Sequence, residues 1–261
     1  MSDLRYQLVR LRNGAVCVRS VADDETFHPG IGPVAEAEAL YVRQLRLPER
    51  VRETKGEFVI WDVGLGAAAN ALTALRECGS LNANSGQPTP DPSQEGNQST
   101  ARVQSPAPLL GGAGGGSRRI RLVSFDHTCD ALLFAVQHAA ELTYPLGFKA
   151  QLSELAANRR VQFHHGGLEV DWTLMLGDFP SALAGQNSLL KPAPHAILFD
   201  PHSPQKNPAM WTVPLFTNLF RQLDPQRPCA LANFTRSTLA RAAMLLGGFY
   251  VGVGQIGRAH V

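Results

Sequence analysis

The sequence predicts an α/β fold with a mostly parallel central sheet. From residue 58 onward, short apolar segments typical of buried strands alternate with segments typical of helices. That alternation indicates a doubly wound, parallel sheet. The first strand runs directly into Gly64-Leu65-Gly66 and a helix, an arrangement typical of Rossmann-like nucleotide-binding folds. The composition, 44% hydrophobic and 18% charged over 261 residues, is that of an ordinary globular protein.

Residues 1–57 precede the sheet and are predicted to form a hairpin-and-helix element. The hairpin covers residues 7–21 and turns at Asn13-Gly14, a dipeptide favoured in tight hairpin turns. A loop rich in glycine and proline follows over residues 26–33. A helix is then expected at residues 34–45, because glutamates stand near its start.

The sheet-forming domain is predicted to span residues 58–255. Its strands are expected at residues 58–63, 120–125, 161–163, 173–176, 196–199, 229–234 and 249–253. Its helices are expected at residues 67–76, 129–142 and 237–246.

Two segments do not fit the alternating pattern. Residues 80–117 are rich in Gly, Pro, Ser, Gln and Asn and lack apolar periodicity. Such a segment buries too little surface to offset the entropy of ordering, so it is predicted to be a disordered insertion in the domain. Residues 256–261 are interpreted as a non-native tail, and a genuine short tail is the alternative.

Several classes of protein are disfavoured by the composition. No apolar run approaches the roughly 20 residues that span a bilayer, and the N-terminus lacks a signal-peptide core. The four cysteines show no Cys-x-x-Cys spacing, and His164-His165 has no Cys or acid at ligand spacing, so no metal site is predicted. Free cysteines fit a cytoplasmic protein. A net charge of +2 does not by itself indicate a nucleic-acid partner.

A cofactor site is predicted where the first strands end. Gly64 and Gly66 let the backbone turn sharply beside a ligand, and the following helix offers free N–H groups. Asp62 ends the first strand. The dinucleotide fingerprint is not met, because Ala69 stands where its third glycine would be.

Two further acidic loops support this cofactor site. Asp126 ends the second strand and can accept ribose hydroxyls, or alternatively cap the next helix. Gly177-Asp178-Phe179 follows a later strand, where the carboxylate can bind adenine and the ring can stack on it. A plain turn is the alternative there. Three acidic strand tips without a pyrophosphate fingerprint favour S-adenosylmethionine over NAD.

A candidate catalytic loop follows the strand at residues 196–199. Asp200 stands at the strand's carboxyl end, where ligands bind in open α/β sheets. Pro201, Pro204 and Pro208 make the loop stiff. A stiff polar loop with one carboxylate at a strand tip indicates chemistry more than packing.

These motifs resemble the methyltransferase domain of the bacterial tRNA 5-methylaminomethyl-2-thiouridine biosynthesis family (MnmC-like), in its standalone form without the oxidase domain. The most specific match is Ser203-Pro-Gln-Lys-Asn-Pro-Ala-Met-Trp211 after Asp200. The other matches are Gly64-Leu65-Gly66 with Asn70, Asp126, Gly177-Asp178, and the Phe27-His28, Gly32 and Glu36 element. Pro201-His202 and Pro29 depart from the family, which has Gly-Phe and Ser there.

The resemblance implies an S-adenosylmethionine-dependent methyltransferase fold, here without its last strand through C-terminal truncation. It implies that Asp200 is catalytic and that the aminomethyl group of the wobble uridine in tRNA is methylated. His28, Glu36, His202 and Lys206 are then expected on the substrate side, although His202 could be a surface histidine and Lys206 a loop cap. Trp211 is expected to anchor the loop in the core.

The expected partners are tRNA and an oxidase or another enzyme that forms the aminomethyl precursor, without a membrane. The alternatives are a methyltransferase acting on another amine or small molecule, and a non-catalytic nucleotide-fold binding module.

Overall fold

The N-terminal element is a small antiparallel sheet followed by helices. The computed structural model describes residues 5–83, 117–185, 190–252 and 254. In it, β1 (Tyr6–Arg10), β2 (Val16–Ser20) and β3 (Glu25–Thr26) pair in that order. The predicted hairpin is confirmed, and the Asn13 side chain accepts the N–H of Ala15 inside its turn.

The predicted helix at residues 34–45 is helical but not regular. It begins as α1 (Pro33–Ala37) and widens into a π-helical segment, Glu38–Arg43. Such widened turns are rare and occur often at functional sites. Here the segment places Leu40 on a cavity and buries Tyr41 completely. The next helix is α2 (Leu47–Glu53).

The central sheet has six strands in the order β6-β7-β5-β4-β8-β9. The strands are β4 (Glu57–Val63), β5 (Arg118–Asp126), β6 (Arg160–His165), β7 (Leu168–Leu176), β8 (Ala196–Phe199) and β9 (Ala230–Asn233). All neighbours run parallel except β6, which pairs antiparallel with β7. The predicted mostly parallel α/β fold is therefore confirmed.

Helices cover both faces of this sheet. They are α3 (Ala69–Ala83), α4 (Asp130–Gln137), α5 (Ala139–Leu142), α6 (Lys149–Asn158), α7 (Phe179–Ala184), α8 (Val213–Arg221) and α9 (Thr238–Leu246). Short 3-10 turns occupy Leu146–Phe148 and Pro208–Trp211. The helix predicted at residues 129–142 is interrupted at His138.

One predicted strand is wrong. Residues 249–252 lie outside the sheet. The backbone turns through Gly247 and Gly248 after α9, and the ring of Phe249 packs on Phe216 and Phe220 of α8. Phe249 is thus covered by a helix rather than by a neighbouring strand.

The predicted insertion and tail lie largely outside the described residues. α3 continues to Ala83, past the expected start of the insertion at residue 80, and β5 begins at Arg118. Residues 84–116 and 255–261 are not among those described.

Side-chain alternation along β4 divides the core into two layers. Phe58 and Ile60 face the α3 side, whereas Val59, Trp61 and Val63 face the α8 side. Both faces are covered, as expected for a parallel sheet. Asp62 has the parity of Ile60, so its carboxylate enters the α3 layer beneath the strand tips.

Candidate active site

A cavity of about 830 Å³ opens at the carboxyl ends of the parallel strands. All the predicted site residues line it except Asp62 and Asp178. On one side the wall contains Gly64, Gly66, Asn70, Asp126 and Gly177. On the other it contains His28, Glu36, Asp200, His202 and Lys206. The topology therefore brings residues from distant parts of the chain to one edge of the sheet.

The glycine loop after β4 is held against two neighbouring strand tips. The N–H groups of Gly64 and Leu65 donate to the carbonyl of Phe125 at 2.9 and 3.2 Å. Gly64 has φ +90, and a Cβ there would stand 2.4 Å from the carbonyl oxygen of Asp200. Only glycine permits both this backbone angle and this close approach.

Asp126 joins the glycine loop to the tip of β5. One carboxylate oxygen accepts the N–H of Gly66 at 2.8 Å, and the other accepts the N–H of His127 at 2.7 Å. The alternative of a helix cap is wrong, because Cys129 occupies the N-cap of α4. Burial raises the pKa of Asp126 above its usual value, against the opposing effect of these N–H donors.

Asp62 and Asp178 occupy different positions from the other predicted residues. Asp62 is buried below the cavity, where it accepts a hydrogen bond from Ser124 at 2.8 Å, and burial raises its pKa to about 7. Asp178 is exposed and caps α7 by accepting the N–H of Ser181 at 2.9 Å. Its neighbours Gly177 and Phe179 line the cavity.

Asp200 ends β8 and is fixed by both backbone and side-chain contacts. Its N–H donates to the carbonyl of Val63 at 2.8 Å. The side-chain amide of the buried Asn70 donates to Asp200 Oδ2 at 2.5 Å. The hydroxyl of Tyr41 is buried nearby, and burial together with the charge of Asp200 raises its pKa. The carboxylate is thus oriented by Asn70 of α3.

His28 and Glu36 form an ion pair beside this carboxylate. His28 Nδ1 lies 3.8 Å from Glu36 Oε2, and His28 Nε2 lies 4.0 Å from Asp200 Oδ2. Burial alone would lower the pKa of His28, but the carboxylates of Glu36 and Asp200 outweigh it and raise the pKa. Burial would likewise raise the pKa of Glu36, but His28 and the N–H groups of Gly30 and Ile31 lower it.

The loop after Asp200 is tied to the N-terminal sheet. Glu25 accepts the N–H of Ser203 at 3.2 Å, and its other oxygen accepts the Ser203 hydroxyl at 3.3 Å. His202 Nε2 lies 3.8 Å from Asp23 Oδ2, and Trp211 Nε1 donates to the carbonyl of His202 at 3.0 Å. Trp211 is buried and anchors the loop in the core.

Sequence reasoning missed Asp23, Glu25 and Tyr41. An acidic run, Asp23-Asp24-Glu25, ends two positions before Phe27-His28 and was an available signal. For Tyr41 the sequence offers no such signal.

The wall of the cavity suits a cationic ligand. Its carboxylates belong to Asp23, Asp24, Glu25, Glu36, Asp126, Asp130 and Asp200, whereas its Lys and Arg side chains are Arg19 and Lys206. Asn70 Oδ1 is buried and has no hydrogen-bond partner among the described residues. A cofactor with a sulfonium and an ammonium group fits these acceptors, whereas a pyrophosphate would be repelled.

Two kinds of feature, a metal-binding cluster and a membrane-spanning helix, are absent from the described part of the chain. Residues 5–83, 117–185 and 190–252 contain no group of three or more His, Cys, Asp or Glu side chains that could hold a metal ion. Within the same ranges, no helix combines the length and apolarity needed to cross a membrane.

Fold and site together define the class of an S-adenosyl-L-methionine-dependent methyltransferase. The sequence model of a family with that description matches residues 145–258. Among solved structures, the fold is similar to MNMC2 from Aquifex aeolicus, with a TM-score of 0.63 and 17% identity. That match covers 96% of this chain and 66% of the other, slightly less than two thirds. No curated protein matches the chain.

The chain therefore has the fold of S-adenosyl-L-methionine-dependent methyltransferases, and its cofactor is S-adenosyl-L-methionine.

Proposed function

We propose that the protein transfers a methyl group from S-adenosyl-L-methionine to a primary amine, the aminomethyl group of the wobble uridine in tRNA. The observation that carries this proposal is the Asp200 carboxylate, held by Asn70 on the wall of an acid-lined cavity. The motif Ser203–Trp211 supports the choice of substrate, because it follows the family pattern closely.

The cofactor is assigned to the glycine-loop side of the cavity. When bound, it supplies a methyl group on a positively charged sulfur. Gly64 and Gly66 give its amino-acid part close access to the backbone. Asn70 Oδ1 would accept an ammonium N–H, and Asp126 would accept the ribose hydroxyls.

The remaining cofactor contacts come from the tip of β7. Gly177 leaves the wall open beside the adenine, and Phe179 presents a ring there. Asp178 would take an adenine N–H with the oxygen that does not cap α7. Asp62 lies below the cavity, where its buried carboxyl accepts the hydrogen bond from the Ser124 hydroxyl and does not touch the cofactor.

Asp200 acts on the amine. An amine attacks only through a free lone pair, so it must be held uncharged and aligned with the methyl group. A carboxylate at the strand tip accepts an amine N–H and stabilises the positive charge that develops on nitrogen. Fixed alignment of the two reactants is worth about 7–11 kcal/mol of the barrier. Asn70 keeps the carboxylate in this orientation.

The opposite wall is assigned to the nucleoside. His202 lies with its ring 5.8 Å from that of Phe27, so the two rings offer a platform for a flipped base. Lys206 is exposed at the rim and is assigned to a tRNA phosphate. An oxidase or another aminomethyl-forming enzyme would supply the precursor, in the cytoplasm, where the four free cysteines stay reduced.

The experiment is methyl transfer to tRNA that carries the aminomethyl precursor, with cofactor binding measured by calorimetry. Asp200→Ala is expected to abolish transfer while leaving affinity for S-adenosyl-L-methionine within a few fold. Asp224→Asn serves as the control, because this carboxylate lies outside the cavity wall and caps a turn at Gln226. Near-normal turnover of Asp200→Ala would rule out the assigned role.

A second candidate function is methylation of another amine or a small molecule. The acidic wall of the cavity favours it, because carboxylates repel the phosphates of RNA, and so does the Pro201-His202 departure from the family. Mass spectrometry of tRNA nucleosides from a deletion strain separates the two. Loss of the methylated wobble nucleoside supports tRNA, and an unchanged nucleoside profile supports the other amine.

A further inference from the structure

His28 is held in an unusual backbone conformation on the cavity wall. Its φ is +55, in the left-handed region that residues other than glycine seldom adopt. The thiol of Cys17 on β2 donates to the His28 carbonyl at 3.4 Å. Local backbone strain of this kind persists where the surroundings enforce it, and it is concentrated at functional sites.

The carboxylate of Glu36 is fixed independently of His28. Its Oε1 accepts the N–H of Gly30 at 2.5 Å and that of Ile31 at 2.9 Å. Its Oε2 faces His28 Nδ1 at 3.8 Å. The imidazole therefore has a charged acceptor on its Nδ1 side, which favours the tautomer with a proton on Nδ1 and a lone pair on Nε2.

The lone pair on Nε2 faces Asp200. The distance from His28 Nε2 to Asp200 Oδ2 is 4.0 Å, too long for a direct hydrogen bond. A third atom can stand about 3 Å from both, which is hydrogen-bonding distance to each. Both residues line the cavity. A substrate amine placed in that gap would contact the carboxylate and the imidazole at once.

We propose that His28 is the base that removes a proton from the substrate ammonium group and that Glu36 positions it. The inference rests on the proposed function and assigns the deprotonation within it. His28 Nε2 takes one proton from the ammonium nitrogen, which Asp200 holds. The freed lone pair forms the N–C bond to the methyl group, the C–S bond breaks, and its electron pair stays on sulfur. The product is a secondary ammonium, and His28 later releases its proton to water.

The charged and titratable groups that face His28 come from several elements. They are Glu36 of α1, Asp200 after β8, Asp62 of β4 and the thiol of Cys17 on β2. The carboxylates of Glu36 and Asp200 stabilise the imidazolium and raise the pKa of His28 against the opposing effect of burial. Because the base acts only when neutral, the rate of transfer should fall as the pH drops below the pKa of His28.

The test is the pH profile of kcat for methyl transfer in Glu36→Gln. The amide oxygen of glutamine can keep the bonds from Gly30 and Ile31, so the change removes the charge and little else. The acid limb is expected to move to lower pH by about one unit, and kcat at high pH is expected to fall about tenfold, because a less basic imidazole accepts protons less well. Glu38→Gln is the matched control, since Glu38 pairs with Arg43 outside the cavity wall.

A second variant, His28→Asn, keeps a side chain that tolerates the left-handed backbone. It is expected to lose the acid limb entirely and about 100-fold in kcat, with affinity for S-adenosyl-L-methionine unchanged. An unmoved acid limb in Glu36→Gln, or a His28→Asn enzyme with near-normal kcat, would overturn the assignment of His28. If the unaltered chain bound the cofactor and methylated no amine, the proposed function itself would be refuted instead.

Discussion

Gly64→Ala is expected to inactivate the protein by displacing the backbone of the loop that begins at Asp200. An alanine Cβ at this position would stand 2.4 Å from the Asp200 carbonyl oxygen, 2.8 Å from its carbon and 3.0 Å from Pro201 Cα. These are backbone atoms, so no side-chain rotation relieves the contact. Ordinary contact begins at 3.4 Å, so the start of the loop must retreat by about 1 Å, a displacement that can cost on the order of 100-fold in rate.

Gly14→Ala is the matched control for backbone strain. Gly14 has φ +87, close to the +90 of Gly64, but nothing lies within 4 Å of a Cβ built there. Both variants should therefore lose about 1–2 kcal/mol of stability for alanine in a left-handed conformation. Only Gly64→Ala also has the clash with the loop.

The assay compares kcat/KM for methyl transfer and the free energy of unfolding in the two variants. Gly14→Ala should keep its activity, and Gly64→Ala should lose about 100-fold, in line with the expected displacement of Asp200. If Gly64→Ala stayed within about threefold of Gly14→Ala, the close approach would not control the catalytic geometry, and the reasoning would be refuted.

Two further variants probe the surroundings of Asp200. Asp62 keeps its proton up to a pH of about 7 in the fold but releases it near 3.8 when unfolded, so its contribution to stability is complete below 3.8 and is lost as pH rises to about 7. Asp62→Asn has no such loss, so its free energy of unfolding should rise relative to that of the unaltered chain by on the order of 4 kcal/mol as the pH goes from 3.8 to about 7. Denaturant unfolding measures this difference, and a difference that does not change with pH would contradict the raised pKa of Asp62. Glu25→Ala should lower kcat about tenfold at unchanged cofactor affinity, because Ser203 loses a charged acceptor, and unchanged kcat would mean that the loop is held without it.

The sheet was largely predictable because its strands are marked locally. β8 is a continuous apolar run that ends at Asp200, and β4 is apolar except for Glu57 and Asp62 and ends at Gly64; a short apolar run bounded by such residues indicates a buried strand. β6 and β7 were expected as short separate strands, yet they form one long antiparallel hairpin. The available signal was Gly166-Gly167 between them, a turn dipeptide whose φ angles are both positive.

The failures concern segments whose neighbours are distant in sequence. Residues 249–253 alternate like a strand, but the apolar surface of α8 covers Phe249 first. α8 itself was missed because Pro214 stands in its first turn, where proline is in fact tolerated. The contact between Glu25 and Ser203 joins residues 178 positions apart, and local pattern cannot predict it.

The boundary predicted at residue 57 does not divide the residues that line the cavity. Asp200 stands on the parallel sheet, but His28 and Glu36, two of the charges around it, belong to the N-terminal element, as does Tyr41. Glu25 of β3 also holds the loop that follows Asp200. Removing residues before 57 would therefore leave a sheet with a glycine loop and the carboxylate of Asp200, but without the neighbouring imidazole of His28 and without the contact of Glu25 that restrains the loop. The cofactor side of the cavity is supplied by the sheet, whereas the groups proposed to handle the substrate amine are shared between both parts of the chain.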